Sequence, residues 1–171
     1  VHAPQGSWSA RGKRQAPVSA LPVYRRQLFP ESVFGAGAKP PRRAGETLYE
    51  NAGVRLWRLT EVDAGVGILS IHSKMHTIGD EVLTGLKAAV EQAEQTLDGL
   101  VIWHEAPFAV GANLQQIIDA AASGGIAQLE SVVERFQRAS QSLKYARIPV
   151  VAAVQGMALG GGCEFLMHAG K

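Results

Sequence analysis

The run Ile148 to Ala169, IPVVAAVQGMALGGGCEFLMHA, leaves little freedom in how this chain can fold. A short apolar segment passes through a tight turn into three consecutive glycines, Gly160, Gly161 and Gly162, and then into an apolar run carrying one acid, Glu164. Three residues without Cβ at a strand-to-helix junction let backbone N–H groups approach a bound group closely. The start of the following helix adds a dipole that favours negative charge there. The stretch predicts strand, turn and helix, with a candidate oxyanion site and an acid/base group beside it. Close helix-to-strand packing alone would explain an isolated triple glycine equally well, so the remaining sequence has to decide.

From Leu48 onward the pattern is that of a folded domain. VRLWRL, Val54 to Leu59, alternates apolar and polar residues, and GVGILSIH, Gly65 to His72, reads as its hairpin partner across EVDAG. Asp80 opens a helix, because Val82, Leu83, Leu86, Ala89, Val90, Ala93 and Leu97 fall on one face and Asp98-Gly99 supplies a stop. LVIWH, Leu100 to His104, then reads as a buried strand. After the loop APFAVG, Leu114, Ile117, Ile118 and Ala121 predict a short helix closing at Ser123-Gly124-Gly125. Leu129, Val132, Val133, Phe136, Ala139, Ser140 and Leu143 predict a longer one that Pro149 terminates. Val150 to Val154 is the strand that leads into the glycines. Strands alternating with helices define an α/β class, in which loops at strand ends gather the chemistry.

The first 47 residues differ in kind. Residues 1–45 hold six of the eight prolines and eight Lys or Arg against one acid, a charge of +7, whereas residues 46–171 hold nine against fourteen, a charge of −5. Proline at that density fixes φ and removes backbone donors, so neither helix nor sheet propagates far. A linker or arm over 1–47, followed by a folded domain over 48–171, is the expectation. A basic arm can also bind phosphate, and an Arg-rich, acid-poor start can be a transit peptide. The scattered basic residues lack a nucleic-acid-binding motif, and the prolines interrupt the amphipathic helix of a transit peptide. Trp8, Tyr24, Phe29 and Phe34 are expected to pack locally. The composition, 46% hydrophobic and 19% charged, is globular and has no apolar run long enough to span a membrane. A single cysteine and the lack of a secretory apolar segment near the start point to a reducing, cytoplasmic setting. Starting at Val1 and stopping soon after an apolar helical pattern, the chain reads as cut at both ends.

Two strand-to-helix junctions share a character, Val110-Gly111-Ala112 and Gly160-Gly161-Gly162. If the strands before them are neighbours, two backbone N–H groups can converge on one oxygen, as an oxyanion hole requires. FAVGANL, Phe108 to Leu114, taken together with IPVVAAVQGMALGGGCEF, Ile148 to Phe165, resembles the crotonase, or enoyl-CoA hydratase/isomerase, superfamily. The resemblance covers roughly residues 54–171 and implies the N-terminal half of a fold built from repeated ββα units, with trimer-based oligomers common. It implies oxyanion donors at the amides of Ala112 and Gly161, CoA-thioester contacts at Val110, Gly111 and Gly160, and a catalytic Glu164 matching the first of two hydratase glutamates. The second acid would lie beyond Lys171, so the fragment alone is expected to be poorly soluble and inactive. The activity implied is addition of water to 2-trans-enoyl-CoA in fatty acid β-oxidation. An isomerase, or a non-catalytic acyl-CoA-binding module, is the alternative. Isomerase relatives generally lack a glutamate at the Glu164 position, which favours hydration. The Pro/Arg-rich arm resembles linkers of bacterial fusions in which a 3-hydroxyacyl-CoA dehydrogenase precedes the crotonase module. NAD would then belong to the dehydrogenase, while this module takes a CoA thioester and no cofactor.

The sequence departs from the family pattern in HSKMHTIG, His72 to Gly79, which stands where an Arg-Pro pair and Asn-Ala-Leu are common, and in Asn113, which replaces a commoner aspartate. Lys74 is a candidate for a CoA phosphate and equally a solvated loop charge. His72 and His76 lie four apart, yet no HExxH or Cys/His cluster accompanies them, so no metal is expected. Cys163 has apolar neighbours and no orienting base, and is expected to be a packed thiol. No GxGxxG or GxxxxGK[ST] pattern occurs. Mixed charge at Glu130, Glu134, Arg135, Arg138 and Lys144 reads as solvated helix surface.

Overall fold

The structure, a computed structural model, describes residues 45–170 in full and, of the first 44 residues, the backbone of three short strands. The chain divides into two compact units, Val1–Ala44 and Gly45–Lys171. In the first, β1 (His2–Ala3), β2 (Gly6–Ser9) and β3 (Arg14–Ala16) form a small antiparallel sheet. The arm therefore carries a sheet, though one whose strands stop after two to four residues. The packing expected of Trp8, Tyr24, Phe29 and Phe34 lies outside the described residues.

The second unit is built on a five-stranded sheet in the order β4 (Glu46–Glu50), β5 (Val54–Arg58), β6 (Val66–Ile71), β7 (Gly99–Ile102), β8 (Val150–Ala152). The first three strands pair antiparallel, and β6, β7 and β8 pair parallel. The β5–β6 hairpin falls where alternation places it. Strand β4 is an addition, because ETLYE follows an arm rich in proline and alternates poorly; its register slips between Thr47 and Tyr49.

The parallel pairs require crossovers, and helices supply them. Helix α1 (Asp80–Thr96) opens with Asp80 and Glu81, whose charge suits the helix N-terminus, and buries Val82, Leu83, Leu86, Ala89, Val90 and Ala93. That face packs with Leu56, Leu69, Leu100 and Ile102 in one core. Each such side chain, fully buried, is worth roughly 1.5–3 kcal/mol. Helix α2 runs from Leu114 to Lys144 as one element broken at Gly125, whose φ of 59° and ψ of −143° are not helical. The short helix predicted to close at Ser123-Gly124-Gly125 thus runs on into the longer one, with only a break at Gly125 between them. Ala139, Ser140 and Leu143 of α2 are buried, whereas Leu114, Ile118 and Val133, which keep the helical spacing, are exposed. Short helix α3 (Gly161–His168) buries Gly161, Gly162 and Phe165, and Phe165 stacks on Phe136 of α2 at 5.1 Å.

Beyond the ends of the three parallel strands the chain pairs a second time. Ile78 bridges Ala112, and Ala109 bridges Ala158, both in parallel. The segments after β6, β7 and β8 therefore keep the order of the strands they follow. This second layer carries both glycine junctions.

Candidate functional site

The two glycine junctions are neighbours, as convergence on one oxygen requires. β7 pairs β8, and past their ends the Ala109 N–H donates to the Met157 carbonyl (3.0 Å) while the Leu159 N–H donates to the Ala109 carbonyl (2.9 Å). Gly111 and Gly160 then lie against each other. A Cβ on Gly111 would sit 3.2 Å from the Leu159 carbonyl oxygen and 3.8 Å from the Gly160 Cα. Both glycines have positive φ, +97° and +47°, a region that L side chains enter only with strain. Conformation thus calls for glycine at both positions, and the Leu159 carbonyl leaves little space for a Cβ at Gly111.

Hydrogen bonds on the carbonyl side orient the amides. A trans peptide points its C=O and N–H in opposite directions. The Gly111 carbonyl accepts from the Ile78 N–H at 2.8 Å, so the Ala112 N–H points away from Ile78. The Ala109 carbonyl accepts from Leu159, so the Val110 N–H points away from that residue. Among the described residues, the N–H groups of Val110, Ala112, Gly160 and Gly161 donate to no protein group. Asn113, which departs from the commoner aspartate, caps α2: its side chain accepts from the Gln116 N–H.

Glu164 stands in the first turn of α3, its N–H bonded to the Gly160 carbonyl at 3.1 Å and its side chain exposed. No second carboxylate is hydrogen-bonded to it among the described residues. Cys163 corrects the expectation of a packed thiol, because it is exposed. The buried face of α3 is taken by Gly161, Gly162 and Phe165, which turns the intervening positions outward. Lys74 is exposed in the short 3₁₀ turn Lys74–His76, where its carbonyl accepts from Thr77. Among the described residues no group of three or more His, Cys, Asp or Glu is placed to hold a metal ion. No helix there is long and apolar enough to cross a membrane.

A cleft of about 370 Å³ adjoins the first junction. Ala112 lines it together with Ile78 and Asp80 at the start of α1, and the two arms of α2 on either side of Gly125 supply Gln116, Arg135 and Phe136. Arg135 and Asp80 form an ion pair at 3.3 Å across it. Phe136 ties this cleft to the second junction, since a Cβ on Gly161 would lie 2.6 Å from the Phe136 Cε2 and 3.4 Å from the Ile78 Cδ1. Sequence periodicity marks Phe136 only as a core-facing helical position. Its ring in fact closes over Gly161, a relation between residues 25 apart that helical spacing cannot report.

His104 is 5% exposed and lies just past β7. Burial lowers its pKa from 6.5 to about 4; its hydrogen bond to the Phe108 carbonyl opposes the shift, and nearby His76 and His72 add to it. The unfolded chain therefore takes up a proton near pH 6.5 that the folded protein refuses until about pH 4. Stability is complete above that window, falls as pH drops through it, and levels off below about 4. The loss is on the order of 3 kcal/mol. Denaturant midpoints of the full-length protein across this range should show that slope, and His104→Gln should remove it. A slope of equal size in the variant would assign it to other groups.

Comparison with known proteins agrees with this architecture. The enoyl-CoA hydratase/isomerase family matches residues 61–170. The chain belongs to that family. A relative from Bacillus subtilis (strain 168), described as a probable 3-hydroxyacyl-CoA dehydrogenase, is 35% identical over 114 residues, covering 66% of this chain and 14% of its own. A probable enoyl-CoA hydratase of Rhizobium meliloti (strain 1021) is 27% identical over 114 residues, covering 64% of this chain and 42% of its own. The chain thus spans less than half the length of these relatives. Among solved structures, an enoyl-CoA hydratase/carnithine racemase from Magnetospirillum magneticum superposes with a TM-score of 0.61 at 19% identity, over 72% of this chain and 47% of that one. An enoyl-CoA hydratase/isomerase from Xanthobacter autotrophicus Py2 gives 0.61 at 19%, over 70% and 45%. The fold is the crotonase fold.

Proposed function

We propose that this chain supplies the thioester-binding half of an enoyl-CoA hydratase site acting in fatty acid oxidation. The observation that carries the reading is the contact of Gly111 with Gly160, which sets two turns with open amides side by side. In the proposed reaction the thioester oxygen accepts from the Gly161 N–H and from an amide of the Val110–Ala112 turn, Ala112 in the sequence reading. Negative charge that develops on this oxygen is then met by donors already in place. Glu164 orients a water and takes its proton as the oxygen bonds to C3, and a proton added at C2 completes saturation of the double bond. The donor of that proton is a second carboxyl outside this sequence. Val110, Gly111 and Gly160 would line the thioester, Lys74 would meet a CoA phosphate, and no step needs a metal or cofactor.

The likeness to a dehydrogenase of which this chain covers 14% supports a fused dehydrogenase module as partner, with NAD bound there. A homo-oligomer and a cytoplasmic setting belong to the same proposal. The 171-residue chain alone should not turn over. The test is to incubate the full-length protein with a 2-trans-enoyl-CoA and identify the product. A 3-hydroxyacyl-CoA supports hydration. A shifted double bond would establish isomerisation instead, and saturable binding without product would leave an acyl-CoA-binding module.

A further inference from the structure

Two imidazoles grip consecutive carbonyls of the loop that leads into the first junction. The Nε2 of His104 is 2.5 Å from the Phe108 carbonyl oxygen, and the Nδ1 of His76 is 2.5 Å from the Pro107 carbonyl oxygen. A carbonyl only accepts, so each ring nitrogen must carry the proton and donate. The other nitrogen of His104 accepts from the Ile71 N–H at 3.4 Å, which fits the neutral Nε2–H tautomer and ties the ring to the end of β6. The rings lie 4.2 Å apart, and His104 also stacks on Phe108 at 5.1 Å.

The consequence runs along the backbone. The Pro107 carbonyl is held by His76. The Phe108–Ala109 peptide is held at both ends, its C=O by His104 and its N–H by the Met157 carbonyl. The Ala109–Val110 peptide is held through its carbonyl by Leu159, and the Gly111–Ala112 peptide through its carbonyl by Ile78. Nearly every peptide plane from 107 to 112 is thus fixed from the carbonyl side, which sets the direction of the open amides at Val110 and Ala112. Hydrogen-bond donors stabilise developing charge only if they are aimed before it develops. Holding His76 in reach costs backbone strain, since Met75 and His76 have φ of +56° and +53°. Residues held in that region are strained and persist only where surrounding contacts impose them. Here the His76 N–H to the Ser73 carbonyl (2.9 Å) and the Ser73 hydroxyl to the Thr77 carbonyl (2.5 Å) do so.

We propose that His104 and His76 are positioning residues, a paired clamp on the Pro107 and Phe108 carbonyls that holds the Val110–Ala112 turn so that its Ala112 amide is aimed at the substrate oxygen. This rests on the hydratase-type site proposed above. Neither ring need touch substrate. The pair ties a loop without regular secondary structure to fixed hydrogen-bond partners.

The test uses the full-length protein and a bound CoA thioester, with the infrared stretching frequency of the thioester carbonyl as the readout of hydrogen bonding to that oxygen. In wild type the carbonyl band should move to lower frequency on binding. His104→Leu should reverse part of that shift, the share due to the first junction, and lower kcat about tenfold or more, with less than about a twofold change in KM, a split expected when an interaction is made mainly in the transition state. His104→Gln, which keeps a donor at the Nε2 position, should recover most of both. His76→Leu and His76→Asn form a second pair at a less buried site and serve if His104→Leu fails to fold. A band that stays fully shifted in folded Leu variants overturns the clamp, as does a wild-type band that never moves. Shifted wild-type and relaxed Leu bands in a protein that does not hydrate enoyl-CoA would uphold the clamp and refute the hydratase reading.

Discussion

Replacing Glu164 with Gln in the full-length protein should lower kcat for enoyl-CoA hydration about 10²- to 10⁴-fold, the usual span for removing a positioned acid or base. The exchange is nearly isosteric. It leaves the Glu164 N–H on the Gly160 carbonyl and removes only the ability to take a proton. Since the side chain is exposed, the melting temperature should not move. Affinity for a saturated acyl-CoA should also be kept, because the proposed binding uses the backbone donors rather than this carboxylate. Turnover close to wild type would remove Glu164 from the mechanism. A parallel loss of binding and stability would instead make its role structural.

Gly161→Val should be as damaging for a different reason. The position has no conformational need for glycine, as its φ is not positive; the restriction is steric. Any Cβ meets Cζ and Cε2 of the Phe136 ring more closely than side-chain contacts allow, and that ring is backed by Phe165, so it has little room to retreat. Overpacking of this kind costs typically about 1–3 kcal/mol. The larger effect is expected on catalysis, because displacing α3 moves the amide proposed as an oxyanion donor, and loss of such a donor typically costs roughly 2.7–4 kcal/mol of transition-state stabilisation, about a 10²- to 10³-fold drop in kcat. Combining Gly161→Ala with Phe136→Leu gives the control. If the damage is steric, the pair should be more active than Gly161→Ala alone. Equal activity of Gly161→Val and wild type would show that the Gly161 amide does not serve the reaction.

These two predictions rest on parts of the chain that are unequally legible. Helix α1 is readable almost to the residue, because seven apolar side chains from Val82 to Leu97 keep one face and Asp98-Gly99 ends the pattern. The β5–β6 hairpin is readable from alternation. Strand β4 is not, since an edge strand that follows a proline-rich arm and is anchored by a bulged register has no clear period of its own. The outer face of α2 misleads in the other direction: Leu114, Ile118 and Val133 keep helical spacing, yet they are exposed. Spacing reports which residues share a face and not whether anything covers it. For the same reason Cys163, surrounded in sequence by apolar residues, is exposed rather than packed.

The α/β class, the two glycine junctions and the single acid beside the second can all be read from residue order, because each depends on local properties: side-chain period, missing Cβ atoms, and position along a helix. That the junctions meet cannot be read there. Their meeting requires β7 and β8 to pair in parallel and the segments beyond them to pair again at Ala109 and Ala158, a relation set by sheet order rather than by any run of residues. The closing of Phe136 over Gly161, and the hold of two histidines on the loop before Val110, likewise emerge only once the layers are packed. Contacts between distant residues depend on how those layers meet, and no local period encodes them.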